Sequence, residues 1–271
     1  MKKILLSFLF FVFLSNGYAT INKNEEILII QNHVIKQVTL KESAWNLKAL
    51  KFYDQFRGNK LNPNFWEIVV REKNYNNELQ YYHSNNVKVE RGVTKLIAKR
   101  ENIGSRNYTS GLISTVKEMP ILYGSIKVKA KFPTGKGLFP AIWLTPINED
   151  KYLPEIDIME VVGNDPSKIY FVLHSLNNLG KQKTLSSSYT LMNFEDFHTY
   201  ELRWTEKKLE WLINDVSMFV IENEVDIPKE PMKLVINLAV GGDWPGAPSK
   251  DTKFPAEFQI ESVEINHEGE F

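Results

Sequence analysis

The stretch YGSIKVKAKFP, residues 123–133, alternates Ile126, Val128, Ala130 and Phe132 with Lys127, Lys129 and Lys131. A two-residue period of apolar and charged side chains predicts a half-buried antiparallel strand with one face in solvent. NVKVERGVTKLIAKRE predicts two short strands about Arg91 and Gly92, LEWLINDVSMFVIEN a hairpin about Asn214 and Asp215, and MKLVINLAVGG a strand closed by glycines. Turn signals recur roughly every ten residues, the spacing of an all-β domain. After the N-terminus no helix-period segment exceeds about two turns, and there is no heptad, repeat or low-complexity tract. The pattern predicts a β-sandwich or barrel in one domain.

The N-terminus breaks this pattern. MKKILLSFLFFVFLSNGYAT places two lysines before an apolar run from Ile4 to Leu14, followed by Gly17 and Ala19 at recognition positions. That reads as a secretory signal peptide over residues 1–19, cut after Ala19; the run is well short of the roughly twenty residues that span a bilayer. The mature chain is expected to be secreted, extracellular or periplasmic, with no membrane attachment after cleavage. Residues 20–44, with the apolar run ILIIQNHVI, read as a leader or an extra edge strand, and 45–271 as one continuous domain.

The chain has no cysteine, which excludes disulfides, thiolate metal sites and a cysteine nucleophile. Lys+Arg and Asp+Glu balance at 33 each, so no global field draws in nucleic acid or an anionic membrane, and a neutral partner fits. Aromatic residues make up 12% of the chain, and such rings suit either a β core or stacking on sugars.

One segment carries chemistry. LPEIDIMEVVG, residues 153–163, sets Glu155, Asp157 and Glu160 among apolar neighbours at intervals of two and then three. On a strand Glu155 and Asp157 share a face, and strict alternation would bury Glu160 in the core at a cost of several kcal/mol. One extra residue at Ile158 or Met159, a β-bulge, returns Glu160 to the face of the other two. Three acids in a row repel one another and raise at least one pKa, so stability gives no reason to keep them. An acidic solvent-exposed strand and a calcium site are two readings. A third is retaining glycoside hydrolysis, which needs two carboxyls about 5 to 5.5 Å apart, one ionised and one protonated. Backbones about 13 Å apart on a flat strand reach that separation only if the strand bulges and curves.

With GLFPAIWLTP (137–146) before EIDIMEVVG and NLAVGGDWPG (237–246) after it, the sequence resembles glycoside hydrolase family 16, in particular its laminarinase-like branch. The likeness extends to FRGNKLNPNFW (56–66), NNELQYY (76–82), YTSG (108–111), YGSIKVKAKFP and FHTYELRW (197–204), in the family's order. It implies a concanavalin A-like β-jelly roll of two curved antiparallel sheets with the substrate groove on the concave face. It implies Glu155 as nucleophile, Asp157 as assisting acid and Glu160 as acid/base, and the six-residue EIDIME is the bulged form of the laminarinase type. Trp143 and Trp244 are expected as sugar platforms, His174 as a hydrogen-bonding group near the scissile bond, Asn76 as a ligand of sugar hydroxyls, and His198 as structural.

The expectation is therefore a monomeric, secreted, retaining endo-hydrolase of β-1,3-glucan or mixed-linkage β-glucan. Its partner would be that polysaccharide, and it would need no cofactor or catalytic metal. Leu112 stands where the family often has an arginine, Ser125 and Lys129 where arginines are common, and Phe139 where a tryptophan is frequent. These departures keep open a second expectation, a same-family hydrolase or transglycosylase acting on another polysaccharide such as a galactan. A non-catalytic glucan-binding module is the rival outside the enzymes, and the presence of both glutamates argues against it. The family's structural calcium is left open, because its usual DEF reads Asp54-Gln55-Phe56 and its C-terminal aspartate is Glu261.

Overall fold

The computed structural model describes residues 20–23, 26–29, 51–177 and 179–267. The expected signal peptide and most of segment 20–44 lie outside the described residues. Two antiparallel sheets form a sandwich. The first has seven strands in the spatial order β14 (Gln182–Thr190), β13 (Lys168–Leu176), β12 (Glu155–Val161), β11 (Leu138–Pro146), β18 (Met232–Val240), β9 (Leu112–Thr115) and β4 (Trp66–Ile68). The second runs β17 (Val216–Ile221), β16 (Leu209–Ile213), β15 (His198–Trp204), β10 (Gly124–Lys131), β19 (Ala256–Asn266), β3 (Lys51–Asp54), β1 (Thr20–Lys23) and β2 (Glu26–Ile29), with β7 (Val93–Ala98) also on β19 and β6 (Val87–Glu90) on β7. A short parallel pair joins β5 (Gln80–Tyr82) to β8 (Tyr108–Ser110).

Period-two patterning builds both sheets. On β10, Ile126, Val128 and Ala130 are fully buried, while Lys127 turns outward to Glu201 at 3.3 Å and Asp215 at 3.0 Å. The β16–β17 hairpin turns at Asn214 and Asp215, both with positive φ (49° and 64°), the twist that two-residue hairpins favour. Between the sheets lies one apolar core, in which Trp204, Trp211, Tyr200, Phe171 and Phe258 are fully buried. The seven-stranded sheet presents its other face outward, and the expected catalytic strand β12 lies in its interior, third from one edge. A central strand is held on both sides by ladders, so the groups it carries are fixed by backbone rather than by loops.

Candidate active site

Strand β12 carries one residue more than its neighbours. Toward β11, Trp143 pairs with Asp157 and Ile142 with Met159, which leaves Ile158 without a partner. Toward β13, Asp157 pairs with Val172 and Glu160 with Tyr170, three residues of β12 against two. This is the β-bulge expected from the broken spacing, and Ile158 and Met159 are both fully buried in the core. Glu155, Asp157 and Glu160 consequently point from the outer face. A bulge disrupts the ladder locally. At its start the main-chain carbonyl of Asp157 accepts a hydrogen bond of 2.8 Å from the indole Nε1 of Trp211 on the opposite sheet. The Trp211 ring is itself stacked on Phe219, with centroids 5.0 Å apart.

Burial sets the electrostatics. Loss of hydration lifts the Glu155 carboxyl to about 7, and burial together with the charge of Glu155 lifts Glu160 to about 8. Asp157, 2% exposed, is raised well above the ordinary carboxylate range by burial and then by Glu160 and Glu155 on either side. Its Oδ2 has no hydrogen-bond partner among the described residues, and the nearest positive candidate is His174 Nε2 at 3.8 Å. Burial also holds the His174 pKa below its usual value, which favours neutral imidazole. Nδ1 of that ring meets the Thr184 hydroxyl at 2.8 Å and Gln182 Nε2 at 3.4 Å. Two glutamates on one face whose pKa values are raised toward neutrality can divide the work of base and acid.

Cross-strand register arranges the rest of the outer face in rows. Leu112, Asn237, Ala141, Glu160, Tyr170 and Ser188 form one row across six strands, and Val235, Trp143, Asp157 and Val172 form part of the next. Trp143 lies beside the acids, partly buried, and its Nε1 donates to Asn237 Oδ1 at 2.7 Å. Asn237 Nδ2 in turn donates to the Tyr82 hydroxyl at 3.0 Å. Trp244 is 49% exposed and stands edge-on to Phe139 and Tyr170, with centroids 5.5 and 4.8 Å away. Asn76 is exposed in a turn rather than on a strand. Its backbone is left-handed (φ 51°), and its carbonyl accepts from the Asp243 amide at 2.9 Å, so it docks its loop against the one bearing Trp244. His198 is buried between the Asn193 carbonyl (2.9 Å) and Asn214 Nδ2 (2.8 Å) at the start of β15, a structural position. Asn237, Tyr82, Tyr170 and Trp211 were not singled out by sequence reading. Of these, Tyr82, Trp211 and Asn237 fall in quoted stretches, and only the folded structure shows that Tyr82 and Asn237 meet.

The residues considered for calcium have protein partners. Asp54 already accepts from Phe56 N at 2.7 Å and Trp66 Nε1 at 2.9 Å, one on each oxygen, and Glu261 is paired with Lys129. Glu155, Asp157 and His174 offer donor atoms within 4.8 Å of one another, but two carboxyls with raised pKa values and one imidazole fall short of the six to eight oxygens that calcium takes.

A jelly-roll sandwich with partly buried carboxyls of raised pKa on the outer face of one sheet is suited to cleaving carbohydrate. The sequence model of glycosyl hydrolases family 16 matches residues 73–256, and the chain belongs to this family and is a glycoside hydrolase. It is 32% identical over 227 residues to a β-glucanase of Rhodothermus marinus, covering 75% of this chain and 79% of that one. Its structure is similar to the laminarinase catalytic domain from Thermotoga maritima (TM-score 0.72, 29% identity, 79% of this chain and 96% of that one). It is also similar to the endo-β-1,3-glucanase from Pyrococcus furiosus (TM-score 0.73, 28% identity, 79% and 92%).

Proposed function

We propose that the protein is a secreted, retaining endo-β-glucanase that cleaves β-1,3 bonds in laminarin-like or mixed-linkage glucan. The observation that carries the chemistry is the bulge in β12, which aligns Glu155, Asp157 and Glu160 on one face, where burial raises their pKa values. The family and the activities of the relatives named above support the substrate class. Export rests on the N-terminal segment alone, and monomeric action on the absence of any need for a second chain in the proposed reaction.

In the first step the Glu155 carboxylate forms a bond to the anomeric carbon as the bond to the leaving oxygen breaks, and protonated Glu160 gives its proton to that oxygen. In the second, Glu160, now a carboxylate, takes a proton from water as the water oxygen bonds to the anomeric carbon and Glu155 leaves. Asp157 stands between them, and while protonated it can donate to the Glu155 carboxylate and hold its charge state. Trp143, Trp244 and Tyr170 supply ring faces and edges along the same surface for sugar contacts.

Reducing-end and product assays on laminarin, lichenan, agarose and carrageenan test the substrate. Oligosaccharides released from laminarin by the wild type and none by Glu155→Gln are expected. Activity confined to the galactans would replace β-glucan by the alternative substrate class. Glucan binding without any product would make the chain a binding module.

A further inference from the structure

The strand that begins as β4 continues beyond Ile68. Val69 N bonds to the Leu112 carbonyl at 3.1 Å, and Arg71 and Tyr82 exchange both main-chain hydrogen bonds at 3.0 Å. Two-residue alternation puts the side chains of Val69 and Arg71 on the same side. Val69 packs with Tyr82, Leu112, Val235 and Trp143 in a small apolar cluster on the outer face of the seven-stranded sheet. Arg71 therefore belongs to the surface that carries the acids, at its far end. Counting β12, β11, β18, β9 and β4, it stands four strand spacings away, about 19 Å from the catalytic strand.

The guanidinium is held rather than loose. Its Cζ lies 5.5 Å from the Tyr82 ring centroid and 5.1 Å from that of Tyr75, and Nε donates to Asn74 Oδ1 at 3.2 Å. Among the described residues, the two Nη nitrogens have no hydrogen-bond acceptor and the group has no ion-pair partner. Glu78 lies close enough to feel the charge, yet burial raises its pKa and its carboxyl is engaged by Gln80 Nε2 at 2.6 Å. The Tyr75 ring is 72% exposed beside it. Leu112, where sequence reading noted a missing fork, is buried in the Tyr82 cluster and presents nothing to a ligand.

We propose that Arg71, carried on Tyr82 and flanked by the open ring of Tyr75, forms a remote subsite that binds a neutral glycosyl unit of the polysaccharide through its hydroxyls. An arginine offers donors in a fixed fork, and an exposed tyrosine offers a flat face, the two elements a sugar ring needs. A subsite this distant from the scissile bond engages only chains long enough to span the groove, so its contribution appears as a preference for length. The proposal rests on the glycan-cleaving reading above.

The test compares kcat/KM on a ladder of defined β-1,3-gluco-oligosaccharides for wild type, Arg71→Met, Arg71→Lys and Lys73→Met. Arg71→Met keeps an apolar stem over the Tyr82 ring and removes the donors. The advantage of long over short oligosaccharides should shrink roughly tenfold in Arg71→Met, the loss expected for a charge-assisted hydrogen bond, and recover only in part in Arg71→Lys. Exposed Lys73 serves as the control, and Lys73→Met should keep the wild-type length dependence. An equal loss at every length, or none at any, would overturn the subsite. If wild type ignores the β-1,3 series and cleaves another glycan, the substrate proposal fails by itself, and the same ratio measured on that glycan still decides Arg71. A selective loss on sulfated chains alone would overturn the neutral-sugar assignment.

Discussion

The indole of Trp211 reaches across the sandwich core to the main-chain carbonyl of Asp157, 2.8 Å away, and so ties the bulge of one sheet to a strand of the other. A disrupted ladder leaves polar main-chain groups facing the core, where an unpaired carbonyl costs about 1 to 3 kcal/mol. Trp211→Phe preserves a ring that can stack on Phe219 and removes only the donor. Melting temperature should fall by an amount matching that cost. The rate should fall as well, because Glu160 lies three residues beyond Asp157 and a misplacement of about 1 Å can lower turnover by roughly 100-fold. Steady-state kinetics with thermal melting checks this, and wild-type kcat in a destabilised variant would show that the bulge keeps its shape without the bond.

The two raised pKa values predict a narrow pH optimum. With Glu155 lifted to about 7 and Glu160 to about 8, kcat/KM should rise as the nucleophile ionises and fall as the acid loses its proton, the two limbs belonging to the interacting pair. An aryl glycoside whose leaving group needs no proton should lose the alkaline limb for the glycosylation step. Retention of that limb would move the acid role away from Glu160.

The same shifts make stability depend on pH in a defined direction. The folded protein holds the Glu160 proton more tightly than a carboxyl at its ordinary 4.5, so this contribution is intact below pH 4.5 and is lost as pH rises through about 8. Glu160→Gln cannot ionise and should escape that loss. Its gain over wild type should grow from near zero in acid to a plateau above pH 8, measurable by denaturant unfolding across the range.

Asn237 joins Trp143 to Tyr82 through two hydrogen bonds, of 2.7 and 3.0 Å. Asn237→Leu removes both and leaves the indole free to turn. KM for oligosaccharides should rise by about tenfold with a smaller change in kcat, since the groups that form and break bonds are untouched. A drop confined to kcat would place Asn237 nearer the reaction than the binding surface.

How much of this was legible depends on the range of the interaction. The strands of β10, β16 to β18 and the bulge at Ile158 follow from local periodicity, because a glutamate three residues after Asp157 has no other inexpensive place to go. Trp211 gave no such signal. In LEWLI it reads as one more core aromatic, and its partner lies 54 residues earlier on the opposite sheet. Tyr170 carries no local signal either; register sets it beside Glu160, and its ring meets that of Trp244. Asn76 is read as a sugar ligand from its motif, and the structure adds a left-handed backbone bonded to the Trp244 loop. A backbone role of that kind leaves no trace in residue type beyond asparagine's tolerance of positive φ.

That junction has a consequence for how such a protein can change. The loop of Asn76 and Asn77 meets the Trp244 loop through the Asn76 carbonyl, one Asn77–Asp243 side-chain bond of 2.8 Å and the Leu79 amide on Val240. None of these groups belongs to the strand bearing the acids. The two loops can therefore drift together, lengthening, shortening or trading residues, while the bond-breaking machinery is inherited intact. New glycans would be acquired by reshaping the rim, and the ancestral reaction would survive each experiment.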